Sequence, residues 1–464
     1  MKYIYILCYL LISMNLAYGQ DSLTKYLSFT DYLSIVKEHH PVAFQANLKL
    51  REGDSYFQKA KGEFDPKLSG NMKQKYFGGT NYYSYLHGGL KVPTWFGIET
   101  ELGYNDNEGA KLNPESYLLP SGVWNLGISI NLGSGLFIDQ RRADLKQARI
   151  IQKSSGLTQK IMLNKLVLDA TATFLEWHKS YDKVNLILDN LNNLKLRFLN
   201  IKESVRLGDK PAIDTVKLSL QLLNRELKFK QAAVYYKNKT EYLNTYLWQD
   251  GFVPLEIDIA TVPKVDNEFV NLLEMFEFET VIINHPEYLM AQNDISVAKI
   301  DYRIKKEELK PELKIKYNAL SSDNGNGNGV LGGYSSENYY WGASMSYSIF
   351  TRKERANVEL TRIKLEDKTL KLASKKQNIK YKIESTKNSI SSLKEQVEIQ
   401  EKSVELYNLL LKSEITLFDI GESSMFLVNT REQNLIDSKL KLIETNFLYR
   451  LGVSMYMYHI FNFF

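Results

Sequence analysis

From Thr351 to Ile420 the chain runs 70 residues without a glycine or a proline. As one α-helix rising 1.5 Å per residue, that stretch would be about 105 Å long. No compact globular domain needs such a helix. Within it Ile383, Ile390, Leu393, Val397, Val404, Tyr407 and Leu411 share one heptad seam, interrupted by Thr386 and Gln400. A 3.5-residue period that regular predicts coiled-coil packing. Leu157 to Leu207 is unbroken in the same way, and the two stretches end near Gly421 and Gly208. A second long helix is expected after each glycine, over 212–250 and 422–451.

The pairing of these helices reflects a repeat. His40-Pro41 recurs as His285-Pro286 and Pro66-Lys67-Leu68 as Pro311-Glu312-Leu313, both at an offset of 245 residues. Arg142-Ala143 recurs as Arg355-Ala356 and Gly208 as Gly421, both at 213. The offset therefore changes by 32 residues between Pro66 and Arg142, which places an insertion in the first copy. The expected domains are a signal segment over 1–19, repeat 1 over 20–263 and repeat 2 over 264–464. Each repeat would run helix, strands, long helix, turn, long helix, with the first helices starting near Phe29 and Phe269.

Between the helices the period falls to two. Leu313, Ile315, Tyr317 and Ala319 alternate with Lys314, Lys316 and Asn318; a loop of Asn and Gly over 323–329 follows; then Trp341, Ala343, Met345, Tyr347 and Ile349 alternate with Gly and Ser. That pattern predicts a β-hairpin with one apolar and one polar face. The first copy has Leu68, Gly70, Met72 and Tyr76 in one strand and Trp124, Leu126, Ile128, Ile130 and Leu132 in its return, and the same hairpin is expected there. The 32 extra residues read as one more hairpin, Tyr83–Val92 and Ile98–Tyr104, forming either two further barrel strands or an insert outside the barrel.

Residues 2–19 begin with Lys2, continue through an apolar run from Tyr3 to Ile12 and end Ala17-Tyr18-Gly19, the pattern of a cleaved secretory signal. Cys8, the single cysteine, lies inside it, so the exported chain would have no thiol chemistry and no disulfide. The 464 residues are 44% hydrophobic, which excludes wholesale disorder. Mean hydropathy is −0.31 and no apolar run reaches eighteen residues, which excludes a polytopic helical membrane protein. A formal charge of +5 over this length argues against nucleic acid as a partner. His39, His40, His87, His178, His285 and His459 show no metal-ligand spacing, no phosphate-binding glycine loop occurs, and no catalytic set stands out, so neither an enzyme nor a cofactor is expected.

Alternating ten-residue strands in an exported chain suit a transmembrane β-barrel, apolar face to lipid and polar face to lumen. Four or six strands cannot close a barrel, and open edges are not tolerated in lipid, so several chains would have to contribute. The whole exported chain resembles the TolC family of outer-membrane channels. The resemblance is carried by the paired His-Pro, Pro66 and Pro311 before the first strands, and Arg142-Ala143 and Arg355-Ala356. The turns Leu207-Gly208-Asp209 and Ile420-Gly421-Glu422 and the C-terminal Tyr449-Arg450-Leu451-Gly452 complete it. It implies a mixed α and β membrane protein. Long coiled-coil helices would form an α-helical barrel, and a transmembrane β-barrel would be completed by a homotrimer, with four strands per chain in the family pattern.

It further implies an exit duct in the outer membrane of a Gram-negative bacterium with a large periplasmic extension. The duct would serve efflux or type I secretion, docked on a periplasmic adaptor and an inner-membrane pump and gated at the helical tip. Gly208, Asp209, Asp214, Asp419, Gly421 and Glu422 are the expected tip or constriction residues. The family's acidic positions, six and nine residues after each turn glycine, are here Asp214 and Lys217, then Leu427 and Thr430, so only Asp214 keeps an acid. The alternative reading is a soluble periplasmic coiled-coil adaptor.

Overall fold

The computed structural model describes residues 26–118, 122–258, 260–264, 278–321 and 333–462. The signal segment, the helix start near Phe269 and the 323–329 loop lie outside these. In chain order the described elements begin with β1 (Tyr26–Ser28), α1 (Phe29–His39) and α2 (Pro41–Gly62). Four strands follow: β2 (Lys67–Phe77), β3 (Thr80–Pro93), β4 (Ile98–Glu108) and β5 (Val123–Asn131). Then come α3 (Gln140–Arg206), α4 (Ala212–Asn244), β6 (Trp248–Gln249), β7 (Val253–Pro254) and β8 (Val262–Lys264). The remainder is α5 (Phe278–Asn284), α6 (Pro286–Glu307), β9 (Glu312–Ser321), β10 (Tyr334–Ser346), α7 (Arg352–Asp419) and α8 (Met425–Ile460). No helix among the described residues is long and apolar enough to cross a membrane.

The chain divides into two compact units, to both of which α2, α3 and α7 contribute. One takes residues 48–159 and 286–377 and contains a six-stranded antiparallel sheet in the order β10-β9-β5-β4-β3-β2. The strands at 68–76 and 124–132 are not partners. The inserted hairpin lies between them in the sheet, so β2 pairs with β3 and β5 pairs with β4 and β9. The cause is local. Gly78 and Gly79 both have positive φ, 59° and 77°, and close a two-residue turn that brings β3 back against β2 at once. The insertion thus contributes strands to the sheet.

Beyond the sheet this unit is held by contacts between its helices. Gln147 Nε2 donates to Asp301 Oδ1 at 2.5 Å, Asn293 Nδ2 donates to Ser154 Oγ at 2.9 Å, and Lys375 pairs with Glu287 at 2.9 Å. Close to the strands, Ile138, Ala143 and Ile304 form a small buried cluster.

The other unit takes residues up to 47, 160–285 and from 378 onward. Its centre is aromatic: Phe174 packs on Phe29 and Tyr32, with ring centroids 5.3 and 5.2 Å away, and on Trp177 at 5.6 Å. Trp177 Nε1 donates to Thr240 Oγ1 at 3.0 Å, so the indole is buried without losing its hydrogen bond. β1 and β8 pair in parallel nearby. The heptad seam of α7 is buried at Ile383, Thr386, Ile390 and Gln400. Gln400 Nε2 reaches Ser438 Oγ at 2.8 Å and Ser438 O at 3.1 Å on α8, which satisfies the polar interruption. Two helix limits differ from the pattern. α4 stops at Asn244 instead of 250, because the chain turns through Asp250-Gly251, where Gly251 has φ +77°, to pair β6 with β7. α8 starts at Met425, not 422, because Ser424 caps it by accepting from Leu427 N.

Candidate functional site

Two of the regions with organised polar chemistry are the paired helical turns and the large sheet. The first is where α3 and α7 end and α4 and α8 begin. Both turns are built identically. Gly208 N donates to Val205 O at 3.1 Å and Asp209 N to Ser204 O at 2.9 Å; Gly421 N donates to Phe418 O at 3.1 Å and Glu422 N to Leu417 O at 2.9 Å. This is the Schellman closure, and it needs the left-handed backbone found at both glycines, φ +89° and +85°. The turns are held together by a cluster of Leu194, Ile201, Leu218 and Met425, onto which Phe198, Val205, Leu222 and Phe418 pack. Lys210 lies 4.1 Å over the Phe418 ring, joining the first turn to the second.

Asp209, Asp419 and Glu422 are exposed on these turns. Asp214 sits in the first turn of α4, where a carboxylate is favoured by the helix dipole, and its side chain is 15% exposed and paired with Lys217 at 3.4 Å. The six predicted residues therefore share one end of this unit, on two successive turns and the helix start behind one of them.

Sequence reasoning missed a set of charges just behind them. Arg197 forms a two-point pair with Glu432, whose side chain is 8% exposed. Arg225 is buried and donates to Gln433 Oε1 at 3.5 Å. Burial pulls its guanidinium below the ordinary arginine value, against the attraction of Glu432 and Asp437. Glu414 accepts from Ser423 Oγ and pairs with Arg431 at 3.3 Å, and these contacts hold its carboxyl below the usual carboxylate range. A signal for them exists. Glu432 continues the buried seam Met425, Val428, Leu435, and Arg225 continues Leu218, Leu222, so each is a charge on an apolar heptad position.

The second region is the sheet. The registers place Leu68, Met72, Leu86, Leu90, Leu102, Leu126, Ile128, Ile315, Tyr317, Trp341 and Met345 on one face. Much of this face is open in the single chain: Leu68 is 84% exposed, Trp341 65% and Met345 70%. The opposite face is polar. A row of side chains crosses four strands: His87 Nδ1 to Asn105 Oδ1 at 2.6 Å, Asn105 Nδ2 to Asn125 Oδ1 at 3.3 Å, and Asn125 Nδ2 to Asn318 Oδ1 at 3.5 Å. Asn125 lies across Gly103 and Asn318 across Gly127; a Cβ on either glycine would strike the asparagine oxygen. Below that row Lys316 pairs with Glu101 at 2.9 Å, and Arg141 holds Glu99. His87 is thus a member of a hydrogen-bonded row. Among the described residues no group of histidine, cysteine and carboxylate side chains is placed to hold a metal.

No family model matches the sequence, and no curated protein matches it. Solved structures match the fold over 93% of the chain. The open-state MtrE outer membrane channel of Neisseria gonorrhoeae does so with a TM-score of 0.68 at 12% identity, over 88% of its own length. The outer membrane protein VceC of Vibrio cholerae matches at 0.67 and 10% identity over 95% of its length, and the CmeC outer membrane channel of Campylobacter jejuni at 0.65 and 11% over 85%. The chain therefore has the fold of outer-membrane channel proteins. It is the fold that the TolC-family resemblance implies, with a helical majority and one mixed-face sheet.

Proposed function

We propose that this protein is a passive outer-membrane channel, the exit duct of a tripartite efflux or type I secretion system. The observation that carries the reading is the sheet: six antiparallel strands, apolar on one face, polar on the other, with β2 and β10 unpaired along their outer edges. Such a sheet is stable in lipid only if further copies complete a closed barrel. An even strand number makes β10 of one copy antiparallel to β2 of the next, as closure requires. Three copies, the number the TolC-family resemblance implies, would give a barrel of eighteen strands.

The helices support the same assembly. On α4, Ile213, Val216, Leu220, Leu223 and Leu227 recur at alternating spacings of three and four and are 54–62% exposed. That is an unpartnered coiled-coil seam, suited to helices of neighbouring copies in an α-helical barrel across the periplasm. In this reading residues 1–19 are a signal, and 20–263 and 264–464 are two repeats of one unit. The turns at Gly208, Asp209, Gly421 and Glu422, with Asp214 and Asp419, form the tip that gates the duct and docks on the periplasmic adaptor and inner-membrane pump. No catalytic step is assigned.

Reconstitution of the detergent-extracted protein in planar bilayers tests the proposal. Discrete conductance and a trimer mass are expected; recovery in the soluble periplasmic fraction without detergent would overturn it. At the tip, Asp214→Asn should alter ion selectivity, and unchanged selectivity would remove that carboxylate from the constriction.

A further inference from the structure

The charges on the polar face of the sheet do not balance. The registers place Lys67, Lys73 and Lys75 of β2, Lys91 of β3, and Lys314 and Lys316 of β9 on that face. The carboxylates sharing it are Glu99 and Glu101 of β4 and Glu312 at the first residue of β9. Two of these are already committed, Glu101 to Lys316 and Glu99 to Arg141. Among the described residues Lys67, Lys73, Lys91 and Lys314 have no carboxylate within ion-pair distance, and all four are exposed.

One contact is informative beyond this excess. Lys67 and Lys91 stand directly opposite each other in the β2–β3 ladder. Like charges at directly opposed positions weaken a sheet. The carboxylate nearest in register, Glu101 opposite Lys91, is turned to Lys316 instead of relieving the pair. On one side of it lies Glu99, held by Arg141 and shared with Lys314; on the other side the face is neutral amide and glycine: Asn105, Asn125, Asn318, Gly103 and Gly127. With six lysines against three carboxylates, ammonium groups are therefore the dominant fixed charge on this face even though Glu99 attracts both Lys91 and Lys314, and positive rings are what select anions in pores.

We propose that the lysines of β2, β3 and β9 make the lumen of the sheet region anion-selective, with Lys67 and Lys91 as its principal determinants, so that the solutes passed most readily there are anionic. This rests on the channel reading, since it needs the polar face to line a water-filled pore. Each added copy contributes its Lys67–Lys91 pair to the same level of the barrel, where the ammonium groups raise the local anion concentration.

The test is the reversal potential of the reconstituted full chain under a KCl gradient, for the wild type, Lys67→Gln/Lys91→Gln and Asp214→Asn. Chloride should permeate better than potassium in the wild type. The lysine double variant should lower the chloride-to-potassium ratio roughly twofold or more, with single-channel conductance still present to show that the barrel has assembled. Asp214→Asn separates any contribution of the helical tip. A cation-selective wild type, or an unchanged ratio in the lysine variant, overturns the inference and leaves the channel intact; absence of any conductance overturns the channel reading itself.

Discussion

Arg197 of α3 donates two hydrogen bonds to Glu432 of α8, at 3.0 and 3.2 Å, within a seam otherwise made of Leu194, Ile201, Leu218 and Met425. The pair ties the end of the first long helix to the start of the last one, and Arg225 adds a buried cation beside the half-buried Arg197.

Removing one partner should be costly. Glu432→Ala leaves Arg197 without its hydrogen-bonded carboxylate and Arg225 with only the more distant Asp437, and is expected to destabilise the helical end by about 3 kcal/mol. A chemical-denaturation midpoint in detergent measures this. Arg197→Met/Glu432→Met, which removes both charges, should recover part of the loss.

The two turn glycines permit a cleaner measurement. No atom lies within 4 Å of a Cβ built on Gly208 or Gly421, so substitution meets only the backbone penalty of their positive φ. Gly208→Ala and Gly421→Ala should each cost about 1–2 kcal/mol, and the asparagine variants less. Equal thermal shifts for the two sites would follow from their identical hydrogen bonding.

In the sheet the glycines act differently. Gly103→Ala drives a methyl into Asn125, and Gly127→Ala drives one into Asn318. Each is expected to cost about 1–3 kcal/mol and, in the proposed assembly, to reduce recovery of the oligomer on a semi-native gel. Combining Gly103→Ala with Asn125→Ser should cost less than the sum of the single changes, because the shorter side chain vacates the space.

Acid should loosen the helical end through Glu414. Ser423 and Arg431 hold its carboxyl below the ordinary value of 4.5 in the fold. Its contribution is therefore present above the unfolded value and is lost as pH falls through the depressed folded one. Glu414→Gln should be less stable than wild type at pH 7, and the difference should shrink below about pH 4. Thermal melts across that range provide the check.

Much of the architecture was legible because it rests on period and punctuation. Pro66 and Pro311 stand just before β2 and β9, α7 spans all but the ends of the Gly- and Pro-free stretch, and Gly208 and Gly421 close the two long helices. Strand partnership was less legible, because alternation reports faces and not neighbours. Only the Gly78-Gly79 turn says that β2 folds back on β3. The charges at 197, 225, 414 and 432 were not legible as a group, since their pairing depends on which helix lies opposite. The end of α4 at Asn244 was hidden because residues 245–250 carry no strong helix breaker, and the chain is turned by Gly251 beyond them.

The unpaired flanks of the sheet also shape how the molecule must be made. A lone copy in water offers two free strand edges and a row of bare Leu, Trp and Met side chains, a template for aggregation. In the proposed assembly, closing the sheet would be the last step, because β2 and β10 keep open edges until further copies pair with them.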